Sequence, residues 1–249
     1  MPETEMGGAD QTFRTTLWTA ILAAGDPTNP DARPQLDRLV KAYWRPVYAY
    51  IRVFWKAPAE EAKDLTQSFF GKFIEKEYWS RLDPQRGSFR GYLKAALHHF
   101  LVDARKHDVV RRAIDPVFSF DAAPGELERL APASPDETPE RAFEREWVRT
   151  LLESSIDDLR GRLERDGKSQ YYEVFRIYSI DGLPGGGTPD AAVPTYREIG
   201  DKLGLKVSDV QNFLARSRRL LWQIVRERVR EYVATEGELE GELKEILGE

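Results

Sequence analysis

The chain has 249 residues, enough for one large domain or two small ones, and its lack of cysteine excludes disulfide frameworks and thiolate metal sites. The formal net charge of -5 argues against nucleic acid binding, but the charge is unevenly distributed. Residues 86–112 carry seven Lys/Arg against two acids, and residues 196–230 carry nine against four, so two basic segments suited to a polyanion stand in an acidic chain.

The first thirty residues give no sign of export. Residues 1–12 are expected to be disordered, and they lack the basic-then-apolar order of a signal peptide. Residues 13–24 predict a short helix, which ends at a loop rich in turn formers. No apolar run is long enough to cross a bilayer, so we expect a cytoplasmic protein without membrane insertion.

Three amphipathic helices are predicted over the next segment. Apolar residues recur at helical spacing over residues 35–55, where Pro46 marks a kink or a first turn, and again over residues 59–77. Ser88 is the predicted N-cap of a third helix over residues 89–112, whose outer side carries the first basic segment. The aromatic residues of the first helix are predicted to be core.

A linker and two more helices follow. Residues 113–139 are acidic and interrupted by proline and glycine, which predicts a flexible linker and a domain boundary. Helical spacing resumes over residues 139–164 and 171–180. Three glycines at 185–187 do not predict a phosphate loop, because no strand precedes them and no Gly-Lys-Ser/Thr follows.

Residues 196–221 have the spacing of a helix-turn-helix. Gly200 lies where two helices must approach closely, Gly204 where the chain must turn, and Val210 where an aliphatic side chain fills the inner angle. The second helix carries polar and basic residues outside its apolar face, a mixture suited to base edges and phosphates in a major groove. A helical hairpin with a merely solvated basic face is the alternative.

Three segments in this order resemble bacterial RNA polymerase sigma factors of the extracytoplasmic-function (ECF) group, of the sigma-70 superfamily. The segment DLTQSFFGKFIEK, residues 64–76, resembles the family's helix that docks on the polymerase clamp. The helix that opens the minus-ten element resembles FRGYLKAALHHFLVDARK, residues 89–106. The helix-turn-helix that reads the minus-thirty-five element resembles TYREIGDKLGLKVSDVQNFLARSRRLL, residues 195–221.

The resemblance implies an all-α fold of two small helical domains. A region 2-like bundle would span residues 13–112 and a region 4-like helix-turn-helix domain residues 140–232, joined by the linker over residues 113–139 and followed by an acidic extension over residues 233–249. The implied function is to bind core RNA polymerase and direct promoter-specific initiation of transcription, with no enzymatic activity and no cofactor. The alternative is a stand-alone helix-turn-helix regulator that binds duplex DNA without polymerase.

The resemblance also implies three sets of contact residues. The core-polymerase set is Asp64, Gln67 and Phe70. The minus-ten DNA set is Arg90, Tyr92, Lys94, His98, His99, Arg105 and Lys106. The minus-thirty-five DNA set is Lys206, Ser208, Gln211, Asn212, Arg216, Arg218 and Arg219. In the last set Gln211, Asn212 and Arg216 are the predicted base-edge contacts, and Ser208 is also a candidate helix cap.

Two further patterns concern metal binding and regulation. His99, Asp103 and His107 follow at four-residue intervals on one helix, but no further donor is apparent, so no metal site is predicted. The seven acids of residues 231–249 suggest that the tail competes with DNA for the recognition helix, against the alternative of a solvated tail. Self-inhibition by this tail and an anti-sigma partner are both left open.

Overall fold

The computed structural model describes residues 32–74, 88–107, 125–130, 132–181, 193–231, 233 and 235–247. Every regular element within these ranges is an α-helix, which confirms the predicted all-α class for the described part of the chain. The predicted disordered segment 1–12, the predicted helix 13–24 and the three glycines at 185–187 lie outside it. No helix in these ranges is both long enough and apolar enough to cross a bilayer.

Among the described residues, three helices precede the predicted linker. They are α1 (Ala32–Trp55), α2 (Ala59–Ile74) and α3 (Phe89–His107). Pro46 lies inside α1 rather than in its first turn. Ser88 caps α3 as predicted, since its Oγ accepts a hydrogen bond from the Gly91 backbone N–H at 3.2 Å. The predicted ends of α2 and α3, near residues 77 and 112, lie outside the described residues.

Six helices follow in the described part of the chain: α4 (Glu126–Arg129), α5 (Pro139–Arg165), α6 (Ser169–Ser179), α7 (Tyr196–Leu203), α8 (Val207–Arg230) and α9 (Glu236–Leu247). Helix α4 lies within the predicted linker and is attached to α1, because Arg45 forms a 2.6 Å ion pair with Glu126. Leu130, at the end of α4, is buried. This part of the linker is therefore packed against the protein.

The chain groups into two compact units. The first contains residues 1–150 and 229–249, and the second contains residues 151–228. The division falls inside α5 and α8, whereas the predicted domains meet in the linker. Helix α9, predicted as an extension beyond the second domain, belongs to the first unit.

Aromatic side chains of the first three helices form the core of the first unit. Tyr43, Phe69, Phe70, Phe73 and Phe89 are all fully buried. Tyr43 meets Phe89 edge-on at 5.3 Å between ring centroids, and Phe69 meets Phe100 edge-on at 5.5 Å. Edge-to-face pairs add to the stabilisation that burial alone provides. These contacts fix α3 against α1 and α2.

Apolar side chains from α5 to α8 form the core of the second unit. Its buried members are Leu159, Leu163, Val174, Phe175, Ile177, Ile199, Val210, Leu214 and Ile224. The predicted apolar faces of the helix-turn-helix supply Ile199, Val210 and Leu214. The pair α7 and α8 is therefore held on the same core as α6 and the second half of α5.

Two glycines shape the turn between α7 and α8. Gly204 ends α7 in the left-handed conformation, with φ 66°, which glycine adopts without steric cost. A Cβ added to Gly200 would lie 2.7 Å from the carbonyl oxygen of Leu205, too close for any side chain. The close approach predicted at Gly200 therefore exists, although its nearest neighbour is the backbone of the turn rather than the second helix. Val210 is fully buried, as predicted.

We expect Gly200→Ala to destabilise the chain by about 1–3 kcal/mol, because the new methyl group must push the turn backbone away. Gly161→Ala is the matched control, since it lies in α5 and a Cβ there would meet nothing within 4 Å. Replacing that helical glycine should stabilise the chain by about 0.5–1 kcal/mol. Urea unfolding of the full chain, followed by circular dichroism, measures both. Equal midpoints for Gly200→Ala and wild type would contradict this account of the turn.

Candidate nucleic-acid interface

Helix α8 presents the predicted minus-thirty-five contacts to solvent. The side chains of all seven residues are exposed on α8 or in the turn before it: Lys206, Ser208, Gln211, Asn212, Arg216, Arg218 and Arg219. Exposed Trp222 continues the same stripe, four residues after Arg218. The stripe offers amide and guanidinium groups, which can pair with base edges and phosphates.

One predicted cap on α8 is wrong. Ser208 is the second residue of the helix, so it does not occupy the capping position. The carbonyl of Lys206 accepts the first helical bond, from the backbone N–H of Val210 at 3.1 Å. Lys206 therefore stands at the N-cap, and its side chain carries no acceptor for the free N–H groups of the first turn.

Two tyrosines of helix α6 contact side chains of α8. Tyr171 stacks on Phe213 at 4.0 Å between ring centroids, and its hydroxyl accepts a 3.2 Å hydrogen bond from Arg216. The guanidinium of Arg218 lies 5.2 Å from the ring centre of Tyr178. Two arginines of the exposed stripe are thus held by tyrosines, which lowers the entropy that they would lose on binding a ligand.

A capping box starts α7 and fixes the approach to the turn. The Thr195 Oγ1 accepts a hydrogen bond from the Glu198 backbone N–H, and the Glu198 carboxylate accepts one from the Thr195 backbone N–H at 2.7 Å. The bonds that Thr195 donates, from its backbone first and its hydroxyl second, lower the pKa of Glu198. The box is therefore strongest when Glu198 is ionised.

The predicted polymerase-binding residues of α2 differ in accessibility. Asp64 is exposed and Gln67 is half-buried, one turn apart on the outer side of the helix. Phe70 is 0% exposed and lies edge-on to Phe69 at 5.4 Å within the aromatic core. The structure therefore brings Asp64 and Gln67 together at the surface and places Phe70 beneath it.

Four of the predicted minus-ten residues share one face of α3. Arg90, Lys94, His98 and Arg105 follow at intervals of four, four and seven residues, which is close to whole turns of a helix. His98 and Arg105 are exposed, whereas Lys94 is half-buried and Arg90 is buried. The face is thus open at its C-terminal end and covered at its N-terminal end.

Acidic residues cover the N-terminal end. The Glu144 carboxylate of α5 accepts hydrogen bonds from Arg90 and from Lys94, the latter at 2.5 Å. Glu242 of α9 forms a second ion pair with Arg90. The guanidinium of Arg90 also lies 4.3 Å from the centre of the Trp147 ring, where a cation–π interaction adds to the ion pairs. We call these five residues the Arg90 cluster.

Aromatic rings surround the open end. The Arg105 guanidinium lies 4.8 Å from the ring centre of Phe54 and 5.0 Å from that of Trp55, and it donates a 3.0 Å hydrogen bond to the Phe54 carbonyl. His98 meets Phe54 edge-on at 5.5 Å. An exposed cation beside half-buried rings is a combination that suits nucleobases and phosphates. Phe54 and Trp55 join the site, although sequence periodicity predicts them as core.

Tyr50 links this end to α5. Its hydroxyl lies 3.3 Å from the His98 Nδ1 and donates a 3.3 Å hydrogen bond to the Glu140 carboxylate. Burial, and then the charge and hydrogen bond of Glu140, raise the pKa of Tyr50 to about 12. Tyr50 therefore keeps its proton at neutral pH and holds the first turn of α5 beside His98.

The remaining predicted residues have less defined roles. Tyr92 is half-buried and packs near Phe73, with ring centroids 6.3 Å apart, and His99 is exposed. The side chains of Lys106 and His107 lie outside the described residues. Among the side chains that are described, no group of three or more His, Cys, Asp and Glu residues is placed to hold a metal ion.

Comparison of the chain with protein-family models, with curated proteins and with solved structures found no match.

We expect Thr195→Ala to destabilise the chain by about 1 kcal/mol at pH 7, since it removes a helix cap. Because Glu198 has a lowered pKa in the folded state, part of the stabilisation is present above its unfolded pKa of about 4.3 and is lost as the pH falls through the folded value. The difference between wild type and variant should therefore shrink on acidification. Urea midpoints of the full chain at a series of pH values measure it.

Thr138→Ala is the matched control for this pH dependence. Thr138 caps α5 by accepting a 3.3 Å hydrogen bond from the Arg141 backbone N–H. The loss of stability caused by Thr138→Ala should change less with pH than the loss caused by Thr195→Ala. A cost of Thr195→Ala that is the same at pH 7 and pH 3 would contradict the role given to the hydrogen bond that the Thr195 hydroxyl donates to the ionised Glu198.

Proposed function

We propose that this protein is a cytoplasmic sigma factor that binds core RNA polymerase and directs promoter-specific initiation of transcription. The observation that carries the proposal is the exposed stripe of amide and guanidinium side chains on α8. The turn that leads into α8 is fixed by Gly200 and Gly204. The resemblance of three ordered segments to ECF sigma factors extends this DNA-binding role to polymerase.

Asp64 and Gln67 are the proposed attachment to polymerase. They lie one turn apart on α2, with Asp64 exposed, and offer a carboxylate and an amide to basic and polar groups on a partner. The burial of Phe70 gives its ring a supporting role, because it packs under this surface instead of projecting from it.

The α3 face is the proposed contact to the opened strand near the minus-ten element. An unstacked base can lie against the Phe54 and Trp55 rings while Arg105 and His98 meet the neighbouring backbone. On α8, Gln211, Asn212 and Arg216 are the proposed readers of base edges in duplex DNA, and Lys206, Arg218 and Arg219 the phosphate contacts.

A stand-alone helix-turn-helix regulator is the second candidate. All seven predicted minus-thirty-five contacts are exposed, whereas Phe70 of the polymerase set and Arg90 of the minus-ten set are buried. This difference favours duplex binding through the second unit over polymerase binding through α2 and strand binding through α3. Such a regulator has no need for the α2 surface. The two functions therefore make different predictions for Asp64 and Gln67.

Co-purification with core RNA polymerase separates the two candidates. We expect the wild-type chain to bind core polymerase stoichiometrically and the double variant Asp64→Ala/Gln67→Ala to lose at least about tenfold in affinity, since about 1.4 kcal/mol of lost hydrogen bonding suffices. Glu60→Ala is the matched control, because Glu60 is an exposed acid in the first turn of the same helix. It should bind as wild type does.

Three results are informative. Loss of binding in the double variant alone supports the sigma proposal. Absence of polymerase binding by the wild type, with affinity for duplex DNA retained, would favour the stand-alone regulator. Full binding by the double variant would contradict the role given to α2.

A further inference from the structure

Helix α9 contacts the basic face of α3 through Glu242. Glu242 forms its ion pair with Arg90, a residue that the proposed function assigns to DNA near the minus-ten element. The two residues lie in the same compact unit, and both are largely buried, with side chains 6% and 12% exposed. An acid of the tail is thus paired with a cation of the proposed DNA site, whereas the two alternatives drawn from the sequence were competition at α8 and a solvated tail.

Apolar and ionic contacts both hold α9 in place. Among its described side chains, Leu239 and Leu243, one turn apart, are buried and apolar, and Val233 is buried just before the helix. At its start, Glu236 forms a 3.2 Å ion pair with Arg230. Five of its twelve residues are glutamates, against one lysine. The helix is therefore a short acidic element that is docked through Leu239 and Leu243.

Its intrinsic tendency to be helical is weak. An isolated helix of twelve residues is marginal in water, and glycine within a helix is unfavourable. Helix α9 contains two glycines, Gly237 and Gly241, and a Cβ at either position would meet nothing within 4 Å. Neither glycine is required by packing. The helix thus depends on its docking, and undocking should unfold it.

We infer that α9 is an intramolecular competitor that covers part of the α3 DNA site, and that the phosphate backbone of single-stranded DNA displaces it. This inference rests on the proposed function. A carboxylate and a phosphate make the same charge-assisted hydrogen bonds to a guanidinium, so Glu242 and a DNA phosphate compete directly for Arg90. Glu144 remains paired with Arg90 and Lys94 in either state, which makes α9 the removable part of the acidic cover.

The competition has a simple energetic consequence. When the binding-competent form is a fraction of the population, the apparent affinity for the ligand falls by that fraction. Weakening the docking of α9 must therefore strengthen DNA binding, and strengthening its docking must weaken it. The chain offers one variant for each direction.

The test measures binding of a fluorescent oligothymidine about 20 nucleotides long, which exceeds the usual site size for one domain, to the full-length protein. Glu242→Gln removes the charge that pairs with Arg90 and should bind about tenfold more tightly than wild type. Gly237→Ala/Gly241→Ala favours the docked helix and should bind about tenfold more weakly. Glu240→Gln is the control, since it removes the same charge from an exposed position of α9.

Hydrogen exchange of residues 236–247 supplies a second readout. Saturating oligothymidine should speed exchange throughout α9 in the wild type, and Glu242→Gln should show fast exchange without DNA. If Glu242→Gln loses helical content elsewhere in the chain, the glycine variant decides alone, because it fills open space and leaves every ion pair in place.

The inference and the proposed function fail in different ways. If the oligonucleotide binds wild type, Glu242→Gln and the glycine variant equally and α9 stays protected at saturation, the inference is overturned and DNA binding stands. If neither this oligonucleotide nor duplex DNA binds any variant, the proposed function is overturned and the inference with it.

Discussion

An arginine side chain that is only 6% exposed has lost most of its hydration, and the protein must replace what the water supplied. Arg90 is in this position, and Glu144, Glu242 and the Trp147 ring supply the replacement. Removing one partner of a buried ion pair typically costs about 3–5 kcal/mol, because the other charge is left uncompensated. The Arg90 cluster therefore ties α3 to α5 and α9, and the access of any ligand to this face depends on it.

The other fixed point is the backbone of the turn between α7 and α8. The left-handed conformation of Gly204 and the contact of Gly200 with the turn leave little freedom in the angle between the helices. The apolar core orients α8 so that its polar stripe faces solvent. The second unit thus presents a preformed, exposed surface on α8. In the first unit, by contrast, some cations of the α3 face are already ion-paired with glutamates of the same chain.

Local patterns in the sequence predicted the helices and the turn, because helical periodicity, caps and turn glycines act over a few residues. The same patterns could not predict the partners of Arg90, which lie 54 and 152 positions further along the chain. A signal for its burial did exist, since Arg90 follows Phe89 and precedes Leu93 and Leu97 on the apolar side of α3. The resemblance placed Phe70 among the polymerase contacts, whereas helical periodicity alone puts it beside Phe69 on the buried side of α2. Burial of both Phe69 and Phe70 shows that α2 is covered over a wider arc.

Transcription from a library of duplex templates with randomised upstream sequence tests the central claim most directly. Core RNA polymerase would be supplied with and without this protein, and the templates of the resulting transcripts sequenced. A factor that contacts DNA through α3 and α8 should enrich two short sequence blocks separated by a constant spacer, and only when the protein is present. Transcripts that show no enriched sequence, from an active polymerase, would contradict the claim that this chain directs promoter-specific initiation.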